Sequence, residues 1–406
     1  MGPGREPLRR GVPGRRLGPR GAAGRAARGG PELARAARGG MAGGGALGAG
    51  AYGAEVAAGV AAVRAAGALC ARVQRGEGFS RRMAGGDGGR GAREKEDASP
   101  VTVADYAAQA VVSELLARSL PGPRPPALVA EEDADSLRND PDLLVQVTGL
   151  VNEALAEAPR EVGGGGPPLS EEGVLAAVGA GGHPGGSEGR VWVLDPIDGT
   201  RGFVAGRQYC VALALLDQGE AVLGVLGCPN LPAEALRFPN DASDGGCVFA
   251  AVRGEGAFTG PLFGAGTDAL PSEAVRVRAS REATEALFLE SVESRHSDHA
   301  FSARVAEALG VGSPPLRVDS QAKYGVLSRG DASIYMRFPP ADYREKIWDH
   351  AAGAVVVEEA GGRVTDATGA PLDFSRGRWL DIDRGIVAAP AELHQGLLEA
   401  IAKAGG

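Results

Sequence analysis

The stretch Val191-Trp192-Val193-Leu194-Asp195-Pro196-Ile197-Asp198-Gly199-Thr200 constrains this chain more than any other. It reads as a short apolar strand running into a tight turn, with two carboxylates three residues apart and a hydroxyl two residues beyond the second. Pro196 sets its own φ and removes a backbone donor, so the chain can break sharply and leave the Ile197 carbonyl facing inward beside both carboxylates. The result is an oxygen-only cluster. Oxygen donors suit hard divalent cations such as Mg²⁺, whereas zinc would require Cys or His at ligand spacing, absent here. Gly199 permits the bend, and Thr200 can open a helix whose N–H groups would meet a phosphate oxygen. In isolation such an Asp pair is most simply a strand-to-helix turn capped by Asp and Thr. The apolar strand before it and Gly-Thr-Arg-Gly-Phe after it favour the metal site.

A chain of 406 residues, 44% of them apolar, has room for two ordinary domains and a substantial core. No run of about 18 uninterrupted apolar residues occurs, so a soluble, intracellular protein without a membrane partner is expected. Cys70, Cys210, Cys228 and Cys247 lack metal-type spacing and read as reduced thiols, with a redox role for one pair as the alternative. The net charge of −8 hides an asymmetry: residues 1–40 hold ten Arg and two Glu, leaving 33 basic against 49 acidic residues elsewhere. An acidic body argues against nucleic-acid binding, and an enzyme of this kind acting on a phosphorylated anion must supply positive charge locally.

Residues 1–50 are Arg, Gly, Ala and Pro with no apolar period, and are expected to be a disordered leader or one that is removed. An organelle transit peptide fits the Arg-rich, acid-poor composition and would place the protein in chloroplast or mitochondrion; Met41 as the true start would leave it cytoplasmic. Val56, Val60, Val63, Ala66 and Leu69 recur at helical spacing within 54–74. Residues 75–98 read as a mobile loop. Asp105 stands where a helix over 106–120 would begin and, alone, is most simply its N-cap. Ala127 to Ala130 is a second apolar piece ending in Glu131-Glu132-Asp133, the same strand-then-carboxylate pattern. Helices are expected over 139–159, 170–178, 298–309 and 351–360. Strands are expected over 209–216 and 221–226, joined by a four-residue hairpin loop, and over 247–252 and 287–292. The boundary between an N-terminal α+β domain (51–240) and a C-terminal α/β domain (241–406) is placed near 240.

Two further stretches bear on chemistry. Ser320-Gln321-Ala322-Lys323-Tyr324 offers a hydroxyl and an ammonium on one face if helical, a clamp for phosphate, although such a pair is usually just solvated surface. Trp348-Asp349-His350 puts a carboxylate at the head of an apolar helix, where the plain reading is a cap. His296 and His299 have no cysteine or third histidine near them, so a soft-metal role is weak.

Taken in order, the pieces Ser-Pro-Val-Thr-Val-Ala-Asp-Tyr, Val-Ala-Glu-Glu-Asp, the 192–203 segment, Asp-Ser-Gln-Ala-Lys-Tyr and Lys-Ile-Trp-Asp-His-Ala-Ala-Gly followed by Glu-Ala-Gly-Gly-Arg-Val-Thr-Asp resemble one family. They are similar to the 3′(2′),5′-bisphosphate nucleotidases, among the Mg²⁺-dependent, lithium-sensitive phosphatases related to inositol monophosphatase. The resemblance runs from about residue 51 to the C-terminus. It implies an α/β (α+β) fold, a two-domain layered αβαβα sandwich of the inositol monophosphatase and fructose-1,6-bisphosphatase type, with the site between the domains. It also implies hydrolysis of the 3′-phosphate of adenosine 3′,5′-bisphosphate, with the sulfated nucleotide as a further substrate, on two or three Mg²⁺ ions in a monomer. By motif, Glu131, Asp195, Asp198, Asp349 and the Ile197 carbonyl resemble metal ligands. Asp105 and Thr200 resemble the pair that activates water. Thr200, His296, Ser320, Lys323, Arg337 and Asp349 resemble substrate contacts. An inositol polyphosphate 1-phosphatase or other small-molecule phosphatase is the alternative, discriminated by 319–324. A nucleotide sensor without turnover is the reading from another class, disfavoured because every carboxylate of the cluster is present.

Overall fold

Strand faces and helix stripes sort the apolar side chains among the described residues into three separate cores, and the layering follows from that. The computed structural model describes residues 46–76, 93–94, 100–122, 125–236, 245–267, 269–278, 283–292, 297–340 and 342–405, with Met1. The expected leader up to residue 45, most of the expected loop at 75–98, and His296 lie outside the described residues.

Helices α1 (Gly53–Arg75) and α2 (Val103–Ser119) lead, with the two-residue strands β1 (Arg93–Glu94) and β2 (Pro100–Val101) paired between them. Strand β3 (Leu128–Ala130) is followed by α3 (Ala134–Arg138), α4 (Pro141–Glu157) and α5 (Glu171–Gly179). Then come β4 (Arg190–Asp198), α6 (Thr200–Val204), β5 (Cys210–Asp217), β6 (Glu220–Cys228), β7 (Cys247–Val252), β8 (Gly256–Pro261) and β9 (Glu273–Ala274). Strands β3 to β9 form one sheet in sequence order, parallel at β3–β4 and antiparallel elsewhere. The pairing of β6 with β7 carries this sheet across residue 240, where the sequence reading placed its domain boundary.

The rest of the chain supplies β10 (Phe288–Glu290), α7 (His299–Leu309), β11 (Leu316–Arg317), α8 (Ala322–Arg329), β12 (Ile334–Arg337), α9 (Ala351–Glu359), β13 (Gly362–Asp366), β14 (Ile386–Pro390) and α10 (Ala391–Gly405). Its sheet has the order β11-β10-β12-β14-β13.

One face of the first sheet, including Trp192 and Leu194, packs with α1, α2 and α4; the other, including Val191 and Val193, packs with α8, α9 and one face of the second sheet. The far side of the second sheet is covered by α7 and α10. The period-two alternation of strand side chains thus produces the αβαβα sandwich. By length and composition α1 would pass for a membrane span, yet it is a core helix: Val56, Val60, Val63, Ala66 and Leu69 are all buried. At Gly224 a Cβ would stand 2.3 Å from the Ala352 carbonyl oxygen, so only glycine lets α9 lie this close to β6.

Two local expectations are corrected. The β5–β6 hairpin has a two-residue loop, because Asp217 pairs with Glu220 and both Gln218 (φ 52°) and Gly219 (φ 81°) adopt the positive φ that matches strand twist. Asp105 is not an N-cap: Thr102 holds that place, and the Asp105 carboxylate accepts the Thr102 N–H (2.9 Å) and hydroxyl (2.5 Å) from the third helical position.

Candidate active site

The pairing of β4 with β5 decides where the two central carboxylates point. Residues three apart on a regular strand face opposite ways. Here Asp195 pairs with Ala212 and Asp198 with Cys210, so β4 spends three residues where β5 spends two. That bulge turns both carboxylates to one face, and it lies at Pro196, which an interior strand tolerates only where the ladder is broken. Gly199 follows at φ 85°, and Thr200 opens α6, its hydroxyl donating to the Ile197 carbonyl at 3.2 Å.

A cavity of about 410 Å³ opens over this turn. Glu131 reaches it from the end of β3, Asp195, Ile197, Asp198 and Thr200 from the turn, Ser320 and Lys323 from the start of α8, Arg337 from the end of β12, and Asp349 from the turn before α9. Nine of the expected site residues therefore line one cavity. Asp105 does not line it, being buried at the first turn of α2, and no hydrogen bond joins it to Thr200 among the described residues.

Two segments distant in sequence are locked together at the turn. Gln321 donates its N–H to Asp198 Oδ2 at 2.5 Å, and its side chain spans from the Trp348 carbonyl (2.8 Å) to the Gly353 N–H (3.2 Å). Ser320 takes φ 67°, and a Cβ on Gly199 would fall 2.9 Å from its own. The expected single helical face for Ser320 and Lys323 is therefore corrected: Ser320 sits before α8 in left-handed backbone, which aims it at the turn. Asp349 likewise is not the cap of α9, since His350 occupies that position.

Charge is distributed unevenly. Burial pushes the Asp198 carboxyl up to about 6, against Lys323, the Gln321 N–H and Arg337, with Glu131 adding to the rise. Burial, then Asp198 and Glu345, raise Asp349 well above the usual carboxylate range. Burial pulls the Lys323 ammonium down to about 8, with Asp198 and Asp319 opposing; it donates to the Val318 carbonyl at 3.1 Å.

Sequence reasoning missed a buried polar chain beside these groups. Arg337 holds Glu345 by two hydrogen bonds, Nε to Oε1 at 2.6 Å and Nη2 to Oε2 at 3.0 Å. His350 Nε2 lies 3.0 Å from the same Oε2, and its Nδ1 lies 2.8 Å from the Tyr324 hydroxyl. Burial would raise Glu345, but Arg337 and His350 bring it to about 2. Glu345, Asp349 and His350 are close enough to enclose a cation. Both Glu345 oxygens, however, already face the Arg337 guanidinium, and Glu345 is paired with Arg337 and His350, not with Asp349. The available signal was Glu345 itself, immediately before the Lys-Ile-Trp-Asp-His motif and four residues before Asp349. Arg201, Ser291, Tyr343 and Lys346 also line the cavity; Arg201 and Lys346 stand inside quoted motifs without an assigned role, and Ser291 and Tyr343 carried no sequence signal.

The donor set suits a hard divalent cation. Six carboxylate residues line the cavity, Glu131, Asp195, Asp198 and Asp349 together with Asp319, which pairs with Arg207, and Asp342; among the described residues no thiol joins them, and Asp198 and Asp349 are raised partly by like-charged neighbours, a repulsion that a cation relieves.

Comparison with known proteins shows the family and the fold. Residues 97–405 match the model of the inositol monophosphatase family. A 3′(2′),5′-bisphosphate nucleotidase from Oryza sativa is 47% identical over 353 residues, 86% of this chain and 93% of the relative. One from Emericella nidulans is 41% identical over 326 residues, 77% of this chain and 91% of the relative. An inositol monophosphatase from Anabaena has the same fold at 19% identity, with a TM-score of 0.50 over 86% of this chain and 95% of its own.

Proposed function

Because the chain belongs to the inositol monophosphatase family, we propose that its cavity hydrolyses the 3′-phosphate of adenosine 3′,5′-bisphosphate to AMP and phosphate, with the 5′-phosphosulfate form as a second substrate. The observation that carries this reading is the meeting, in one cavity, of an all-oxygen carboxylate set with Ser320, Lys323 and Arg337. A substrate with two separated anions satisfies both halves; a monophosphate satisfies one.

Glu131, Asp195, Asp198, Asp349 and the Ile197 carbonyl would hold two or three Mg²⁺ ions. When bound, these would offset the charge of the reacting phosphate and acidify a water molecule. The protein's own part is positioning. Lys323 and Ser320 hold the non-reacting 5′-phosphate, the ammonium by charge and the hydroxyl by hydrogen bond. Arg337, with Nε and Nη2 committed to Glu345, can present its remaining N–H edge to the nucleotide without swinging away. His296 is assigned a contact to the same nucleotide. Thr200 orients the attacking water and accepts one of its protons while passing its own hydroxyl proton to Asp105, once the Asp105 Oδ2 exchanges Thr102 for Thr200. Holding the 5′-phosphate aligns the 3′-phosphorus for in-line attack, so remote binding energy reaches the reacting centre. All of these groups belong to one chain, and the reaction is assigned to a monomer.

Phosphate release from adenosine 3′,5′-bisphosphate by metal-stripped protein, before and after adding Mg²⁺, tests the proposal. Release that appears only with Mg²⁺ is expected; no release at any Mg²⁺ concentration overturns it.

A further inference from the structure

We infer that Arg378 is a positioning residue for the carboxylate cluster, tying the segment that ends in Glu131 to the segment that carries Asp349. The inference rests on the metal assignment above. Arg378 lies in the loop between α9's following strand β13 and strand β14, far in sequence from either ligand. Its Nη2 donates to the Ala130 carbonyl at 2.5 Å, and its Nη1 to the carbonyls of Gly181 (2.9 Å) and His183 (3.2 Å). Ala130 is the last residue of β3 and immediately precedes Glu131. The guanidinium also lies over the Trp348 indole, Cζ 4.8 Å from the ring centroid, and Trp348 immediately precedes Asp349.

The main chain around Arg378 is fastened to the same place. Its carbonyl accepts the Ile347 N–H at 3.1 Å, the Leu380 N–H donates to the Glu345 carbonyl at 2.8 Å, and Lys346 bridges Trp379. The backbone of residue 378 is therefore anchored on the Asp349 segment while its side chain grips the Glu131 segment. Only a planar, forked donor reaches three carbonyls on two sides while stacking its face on a ring; a lysine ammonium is a point donor. The need for such a tie is electrostatic. Glu131 and Asp349 arrive on separate segments, and each adds to the crowding of negative charge around Asp198 or one another. Without a cation, the like charges on those segments repel one another. A tether that holds both backbones keeps the ligand spacing formed in advance, the usual work of groups that hold metal ligands in place.

The test is calorimetric titration of Mg²⁺, without substrate, into the metal-stripped full chain. Wild type, Arg378→Ala, Arg378→Lys and Arg376→Ala are compared, with melting temperatures in chelator alongside. Arg376 is in the same loop, but its ion pairs to Asp373 and Asp381 are exposed. Arg378→Ala should bind Mg²⁺ about 10–100-fold more weakly. Arg378→Lys should recover only part of the loss, and Arg376→Ala should bind as wild type does. If Arg378→Ala lowers the melting temperature or the binding stoichiometry but keeps the wild-type dissociation constant, Arg378 only braces the fold and the inference is overturned. A wild-type chain that binds no Mg²⁺ would instead remove the metal assignment, and this inference with it.

Discussion

Gln321 donates its backbone N–H to Asp198 Oδ2 at 2.5 Å, joining residues 123 apart in sequence. The bond orients one oxygen of a carboxylate assigned to metal binding with the same residue that starts α8 and places Lys323. The proposed substrate contact and the proposed metal ligand therefore share one rigid corner, and a change at either is expected to reach the other.

Asp198→Asn should separate function from stability. Its folded pKa of about 6 lies above the ordinary 3.8, so between those values the folded state binds more protons than the unfolded. Stability is lost as pH rises through that window, and the cost is fully present at pH 7.5. Removing the charge should raise metal-free stability by about 1–2 kcal/mol while cutting kcat at least ~100-fold. Melting in chelator and turnover at saturating Mg²⁺ check both; wild-type turnover would contradict the ligand role.

Lys323→Met should reduce kcat/KM for the bisphosphate by about 1.5–3 kcal/mol and have much less effect on a small monophosphate. The wild-type ammonium, near 8, is charged below that pH and neutral above it. Wild-type kcat/KM for the bisphosphate should therefore fall above pH 8, and this limb should vanish in the variant. Metal-free stability should show the converse: between 8 and 10.5 the unfolded chain holds more protons, so stability rises with pH in wild type but not in Lys323→Met.

Glu345 contributes in the opposite sense. Its carboxyl is held near 2 against an ordinary 4.5, so its stabilisation is fully present above 4.5 and is lost as pH falls toward 2. Glu345→Ala leaves Arg337 buried without its partner and should cost about 3–5 kcal/mol at pH 7, shrinking at pH 3. Urea denaturation at both pH values gives the comparison. Equal losses would mean that the ion pair contributes nothing.

Gly199→Ala meets two obstacles at once, a φ of 85° and the Ser320 Cβ at 2.9 Å. A loss of about 1–3 kcal/mol in denaturation is expected, with a larger fractional loss of activity than at Gly206→Ala, where φ is 69° but the space is open.

Much of the cavity's lining was legible because its residues cluster in short motifs, most of them ending an apolar element. Strand β4 was visible as an apolar run, and Pro196 marked the break that became the bulge. What stayed hidden depends on pairings between distant segments. Nothing near Glu345 announces Arg337, and nothing near Arg378 announces the Ala130 carbonyl, because ordinary Arg and Glu look alike whether solvated or buried. Asp105 shows the limit from the other side. Its motif and its place at a helix start were both readable, yet Thr102 three residues earlier captures its carboxylate. The four-residue hairpin loop failed because Gln218, not glycine or asparagine, occupies a positive-φ position.

The most direct measurement compares kcat/KM for phosphate release from adenosine 3′,5′-bisphosphate, inositol 1,4-bisphosphate and inositol monophosphate at saturating Mg²⁺, with the nucleotide product identified. The expected result is a clear preference for adenosine 3′,5′-bisphosphate, with AMP carrying its phosphate at the 5′ position as the product. Preference for either inositol phosphate, or a product that keeps the 3′-phosphate, would contradict the assignment of Ser320, Lys323 and Arg337 to the non-reacting anion.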